Sequence, residues 1–271
     1  MADPARRVRS WLFAPGHDSK LLTRVFDCGA DEVLLDLEDA VPPHMKARAR
    51  QMVAEVAAAR RCWVRVNRPA TDECARDLVA LEGKVAGLRL PKVESASEVA
   101  WVASRAPGVP LDCTIESARG VLNAYELASA PGCALLSYGG IDLAVDLGIG
   151  RDEARLDYAK SAMAIAARAA GKPPPSDGIH PRLQDDEGLR LECEAARRLG
   201  FFGKSAIHPR QVPIINEAFS PTSSELAWAE RVLAAFEASG GAATRLADGE
   251  FVDLPVAERA RLIKSQLRAD S

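Results

Sequence analysis

Short apolar runs with strand character alternate along the chain with longer segments of helical periodicity. The runs are Val8–Ala14, Glu32–Leu37, Cys62–Asn67, Gly87–Leu90, Pro110–Ile115, Cys133–Tyr138, Asp177–His180 and Lys204–His208. Between them lie segments such as Met45–Ala59, Ala118–Ala128, Arg155–Ala170 and Glu187–Leu199, rich in Ala, Leu, Arg and Glu, residues that lose little entropy in a helix. Strands that alternate with helices pair in parallel, because each crossover must return along the sheet. Eight such runs predict an α/β protein, a (β/α)8 TIM barrel, over residues 1–220. A C-terminal helical extension follows over residues 221–271. There Thr222–Ser224 offers an N-cap to a helix at Glu225–Ala238, Ser239–Ala242 ends it, and a turn near Asp248-Gly249 leads to a last helix from about Val256. The extension exceeds what eight β/α units require and is a candidate lid or subunit-contact arm.

Composition narrows the class without naming a function. The 271 residues carry 35 Lys+Arg against 38 Asp+Glu, a formal charge of −3, which gives no electrostatic footprint for nucleic acid or an anionic membrane. The longest N-terminal apolar run, Trp11–Ala14, is too short for a signal peptide, and no stretch reaches the ~20 apolar residues of a membrane span. The six cysteines form no CxxC pair and the four histidines no zinc-type spacing with them, so buried thiols in a reducing cytoplasm are expected. Neither GxGxxG nor GxxxxGK[ST] is present.

Side chains at the C-terminal ends of barrel strands face the mouth where active sites form. Those ends carry Asp36-Leu37-Glu38-Asp39, Arg65 and Asn67, Pro91-Lys92, Glu116, Asp142 and His208-Pro209-Arg210. Glu116 and Asp142 lie about one β/α repeat apart, which puts them on adjacent strand ends. Two carboxylates so placed suit a hard divalent ion such as Mg2+, with water and substrate oxygens completing the shell; a helix cap and a salt-bridge partner are the alternative. Arg65 sits in an apolar strand and needs a partner, either the neighbouring acids or a substrate carboxylate. Lys92 reads as an anion contact or a salt bridge to Glu94 or Glu116 rather than as a Schiff-base lysine, because a rim of carboxylates raises its pKa. His208 reads as a hydrogen-bonded structural residue.

The blocks RSWLFAPG (9–16), DEVLLDLEDAVPP (31–43), VRVN (64–67), GLRLPKVES (87–95), TIESARG (114–120), GGIDLAVDLG (139–148), DEGLRLECEAARRLGFFGKSAIHPRQV (186–212) and FVDLP (251–255), in this order, resemble the citrate lyase β-subunit-like branch of the HpcH/HpaI aldolase superfamily. The resemblance implies a (β/α)8 barrel that cleaves or forms a carbon–carbon bond between an acyl-thioester enolate and an α-keto acid. It implies Glu116 and Asp142 as Mg2+ ligands and Arg65 as the group holding the substrate carboxylate or carbonyl. It assigns Glu38 and Asp39 to rim positions that order metal-bound water and Arg65. Asp253 matches an aspartate that reaches a neighbouring subunit's site as acid/base. The chain departs from the common pattern at Ile141-Asp142, where an acid usually precedes the aspartate, and at Ser176–Pro181.

The expected function is a Mg2+-dependent lyase for a malyl-, citramalyl- or citryl-type acyl-CoA. A carrier-protein-dependent citrate lyase β subunit, a malyl-CoA-type thioesterase and a non-catalytic keto-acid-binding protein are the alternatives. The expected partners are acyl-CoA and an α-keto acid, with no nucleic acid and no membrane, in a homo-oligomer that the resemblance suggests is a trimer or hexamer.

Overall fold

The computed structural model describes residues 7–150 and 156–266. Residues up to Glu217 form one compact unit and those from Ala218 a second. Among the described residues of the first unit, seven parallel strands build one curled sheet: β1 (Ser10–Pro15), β2 (Glu32–Asp36), β3 (Trp63–Arg65), β4 (Gly87–Leu90), β5 (Leu111–Ile115), β6 (Cys133–Tyr138) and β7 (Lys204–Ala206). Their order in space is β6-β5-β4-β3-β2-β1-β7. Helices α1 (Ser19–Arg24), α2 (Lys46–Ala59), α3 (Asp72–Leu81), α4 (Ala96–Ala103), α5 (Ala118–Leu122), α6 (Ala124–Ser129), α7 (Gly140–Asp146), α8 (Asp157–Ala169), α9 (Asp186–Arg198) and α10 (Gln211–Ala218) lie in the connections or follow the last strand. The helix expected over Ala118–Ala128 is broken at Asn123, and Arg155 lies outside the described residues.

The strand expected at Asp177–His180 is replaced by two isolated parallel bridges, Ser137↔Ser176 and Asp177↔Lys204. The local sequence accounts for this. Three prolines precede the bridges and Pro181 follows them, each without an N–H to continue a ladder. The two bridges link β6 and β7, the edges of the sheet, through Ser176 and Asp177.

β2, β4 and β5 are buried along their whole length, as strands covered on both faces must be. Inside the sheet, Trp11, Leu34 and Trp63 form an apolar cluster, with the two indoles edge-to-face at 5.2 Å. Gly87 opens β4 beside them because any side chain there would overlap the Trp63 ring. The register then lines up one transverse row: Asp36 pairs with Arg65, Arg65 with Arg89, and Arg89 with Asp112. That row yields two ion pairs, Arg65–Asp36 and Arg89–Asp112.

In the second unit α11 (Ser223–Ala238) packs on α12 (Leu254–Ser265) through Ala229, Val232, Phe236, Ala257 and Ala260. A hairpin of β8 (Thr244–Arg245) and β9 (Phe251–Val252) joins them. Thr222 and Glu225 form a capping box at the start of α11, and Asp253 caps α12 by accepting the Val256 N–H at 3.2 Å. Among the described residues no helix is long and apolar enough to cross a membrane.

Candidate active site

A cavity of about 720 Å³ is lined by Asp36, Asp39, Arg65, Arg89, Glu116 and Asp142, among others. The parallel sheet gathers them at the C-terminal ends of its strands: Asp36 and Arg65 end β2 and β3, Arg89 lies one residue inside the end of β4, and Asp39, Glu116 and Asp142 follow β2, β5 and β6. Arg65 is held by a fork, with Nε on Asp36 Oδ1 at 2.7 Å and Nη2 on Asp36 Oδ2 at 2.8 Å, while Nη1 lies 3.0 Å from Glu38 Oε2. The acids of the DLED segment therefore satisfy this guanidinium, one of the two roles its sequence context allowed. Its face stacks on Phe13, with the guanidinium carbon 5.0 Å from the ring centre.

Lys92 has different partners from those its sequence neighbours suggested. Its Nζ lies 2.7 Å from Glu38 Oε1 and 2.8 Å from Asp39 Oδ2, and its backbone N–H donates to Glu116 Oε1 at 2.6 Å. The surrounding carboxylates outweigh partial burial and hold the ammonium above its usual range. Asp39 is held below the ordinary carboxylate range, because Lys92 outweighs its partial burial.

Glu116 is 5% exposed. Burial, then the charges of Asp142 and Glu38, push its carboxyl up to about 8 against the opposing pull of Arg65 and the Lys92 N–H. Glu38 is also raised, chiefly by burial. A buried site with surplus acid is the donor set a hard cation requires. Among the described residues no group of three or more His, Cys, Asp or Glu is arranged to hold a metal. Glu116 and Asp142 are the two carboxylates here that could share a hard cation, with water and ligand oxygen in its remaining positions. Gly139 makes room for the glutamate: a Cβ there would overlap Glu116 Oε2 and Cβ.

Asp253 belongs to the second unit, where it caps α12. His208 is exposed, and its Nδ1 accepts the Arg210 N–H at 3.1 Å.

The sequence reading missed two charged groups that reach the same cavity, one through Arg89 and one through Lys160, Asp177, His180, Glu192 and Lys204. One is the Arg89–Asp112 pair at 2.5 Å, with Arg89 Nη1 also donating to Ser205 Oγ at 3.0 Å. The available signal was a lone arginine in the apolar run Gly87–Leu90, the same signal that marks Arg65. The other is a network around the start of β7. Lys204 Nζ meets Asp177 Oδ2 at 2.7 Å and Glu192 Oε2 at 2.9 Å, and Lys160 Nζ meets Asp177 Oδ1 at 2.7 Å. His180 Nδ1 lies 2.9 Å from Glu192 Oε1. A lysine opening a buried strand was its only sequence signal.

Comparison with known proteins gives these residues a context. Residues 9–209 match the HpcH/HpaI aldolase/citrate lyase family model. The chain is 38% identical over 263 residues to a (3S)-malyl-CoA thioesterase of Cereibacter sphaeroides, covering 93% of this chain and 92% of the relative. Among solved structures it resembles the CitE protein of Mycobacterium tuberculosis in complex with magnesium, acetoacetate and coenzyme A (TM-score 0.84, 33% identity, 97% of this chain and 98% of that one). It also resembles a citrate lyase β subunit of M. tuberculosis complexed with oxaloacetate and magnesium (TM-score 0.72, 30% identity, 80% and 99%).

Proposed function

We propose, given that the chain belongs to the HpcH/HpaI aldolase/citrate lyase family, that it is a Mg2+-dependent carbon–carbon lyase. Its substrate in this reading is a short β-hydroxy acyl-CoA of malyl, citramalyl or citryl type, divided into an acyl-CoA and an α-keto acid. The observation that carries the reading is the surplus of acid at Glu116, Asp142 and Glu38 in a cavity that also exposes Arg65: burial, and after it the charges of Asp142 and Glu38, push Glu116 up to about 8. Magnesium in the similar M. tuberculosis structures, beside keto acids and coenzyme A, supports it. We further propose that Ser176–Asp177 stands in for the eighth strand of a (β/α)8 barrel, and that the chain assembles as a homo-oligomer.

Glu116 and Asp142 would hold the ion, which supplies Lewis-acid polarisation of a carbonyl oxygen, worth several kcal/mol of charge stabilisation. Arg65 presents a fixed guanidinium to the same cavity. Asp36 and Glu38 occupy part of its donor set and set its plane, leaving N–H groups for a substrate carboxylate or the oxygen that gains charge. Glu38 and Asp39 orient Arg65 and Lys92 and order water at the rim. Cleavage requires removal of the β-hydroxyl proton, so that the electron pair of the breaking bond passes to the thioester α-carbon. Asp253 is our candidate to take that proton and to return it in condensation, from a tail that would serve as a lid or subunit arm.

A second reading has its own support: the relative named as a (3S)-malyl-CoA thioesterase suggests water attack on the same polarised acyl group. Both are tested by incubating malyl-, citramalyl- and citryl-CoA with and without Mg2+ while following keto acid and free thiol separately. Mg2+-dependent keto acid without thiol supports the lyase; thiol without keto acid supports the thioesterase. Wild-type activity in Glu116→Ala and Asp142→Ala would remove both.

A further inference from the structure

We infer that Lys92 is a positioning residue that ties the carboxylate carrying the cation to the group that binds the substrate anion, an inference that rests on the function proposed above. Lys92 has φ +55°, one of two non-glycine residues in the left-handed region among the described residues. Such a conformation persists only where its surroundings over-determine it. Here they do so from two sides.

The backbone N–H, turned inward at the end of β4, donates to Glu116 Oε1 at 2.6 Å. The side chain runs to the opposite wall, where Nζ meets Glu38 Oε1 at 2.7 Å and Asp39 Oδ2 at 2.8 Å. Glu38 divides its oxygens: Oε1 goes to Lys92, and Oε2 lies 3.0 Å from Arg65 Nη1. The result is an unbroken chain of contacts, Glu116–Lys92–Glu38–Arg65–Asp36, assembled from four strand ends. Each partner in it is buried or half-buried. Anchoring Nζ holds the turn in its left-handed form, and that form aims the N–H at Glu116.

The two halves of this arrangement separate by substitution. Glycine adopts a left-handed φ without steric penalty, so Lys92→Gly keeps the N–H on Glu116 while deleting the ammonium. Lys92→Met also deletes the ammonium but leaves a side chain that favours relaxing the turn. Titration calorimetry with Mg2+ alone, on the full chain, should rank wild type and Lys92→Arg together, Lys92→Gly close behind, and Lys92→Met weaker by about tenfold or more, the size typical for loss of a partner that orients a metal ligand. Oxaloacetate titrated into the Mg2+-loaded proteins should weaken in both Gly and Met variants and recover in Lys92→Arg. Equal Mg2+ affinity in Lys92→Gly and Lys92→Met would overturn the inference, as would failure of Lys92→Arg to restore oxaloacetate binding. Wild-type protein that takes up no Mg2+ would overturn the proposed function and this inference with it.

Discussion

Two clusters of buried charge line one cavity, and they are balanced differently. Around the start of β7, Lys204 and Lys160 face Asp177 and Glu192, two cations against two anions. Burial alone would push both acids up, yet the two lysines outweigh it for Asp177, and Lys204 with His180 does so for Glu192, so both lie below the ordinary carboxylate range. At the mouth, Asp36, Glu38, Asp39, Glu116 and Asp142 share Arg65 and Lys92, while Arg89, which lines the same cavity, is already paired with Asp112. There burial and like charge win at Glu116, which is pushed up to about 8. A cluster that closes on itself holds structure together. One left short of positive charge is built to receive it.

The sharpest way to break this contrast is to remove one member from each cluster. Lys204→Met leaves the buried Asp177 with Lys160 as its remaining lysine partner and should cost about 3 kcal/mol in urea unfolding, the low end of the range for a broken buried pair. Glu116→Gln removes an acid that burial already disfavours, so the metal-free protein should unfold no earlier than wild type while losing Mg2+ binding. An equal loss of stability in the two variants would erase the distinction.

Gly139→Ala should lower stability by about 1–3 kcal/mol, as overpacking does, and weaken Mg2+ because the new methyl displaces Glu116. Retention of wild-type Mg2+ affinity would show that the glutamate does not need this gap.

The pH dependence carries a sign. Glu116 keeps its proton in the folded, metal-free protein up to about 8, whereas an unfolded glutamate loses it near 4.5. The native state therefore binds more protons between those values, and this group's contribution to stability falls as pH rises through that window. Mg2+ added at pH 7 should expel that proton. Calorimetry in buffers of different ionisation enthalpy should find close to one proton released per ion, and none in Glu116→Gln. A smaller effect away from both clusters gives a yardstick: Thr222→Ala removes the α11 cap and should cost about 1 kcal/mol without changing Mg2+ binding.

Much of the architecture was readable from periodicity. The limits of β4 and β6 coincide with their apolar runs, and Asp36, Arg65 and Glu116 stand at strand ends as the parallel rhythm requires. The run at Asp177–His180 carries a single aliphatic side chain, Ile179, and follows Lys172–Pro175, which reads as a loop; the prolines around it leave few N–H groups for a ladder, and only bridges form. Partner choice was harder still. Lys92 ignores Glu94, two residues away, and crosses to Glu38 and Asp39, a decision made by the curl of the sheet. The Lys160–Asp177–Glu192–Lys204 network draws on α8, the bridge segment, α9 and β7, so no local pattern could announce it.

The transverse row of Asp36, Arg65, Arg89 and Asp112 runs minus, plus, plus, minus at strand spacings of about 4.8 Å. Such a sequence has neither net charge nor appreciable dipole moment, so its field dies away faster with distance than that of a single ion pair. An acidic metabolite approaching from bulk water senses little of these arginines and much of the carboxylates at the opening. On the proposed function, long-range capture of a dicarboxylate would be set by the cation bound at this opening, and in a chelated sample anions should associate slowly, more so at low ionic strength.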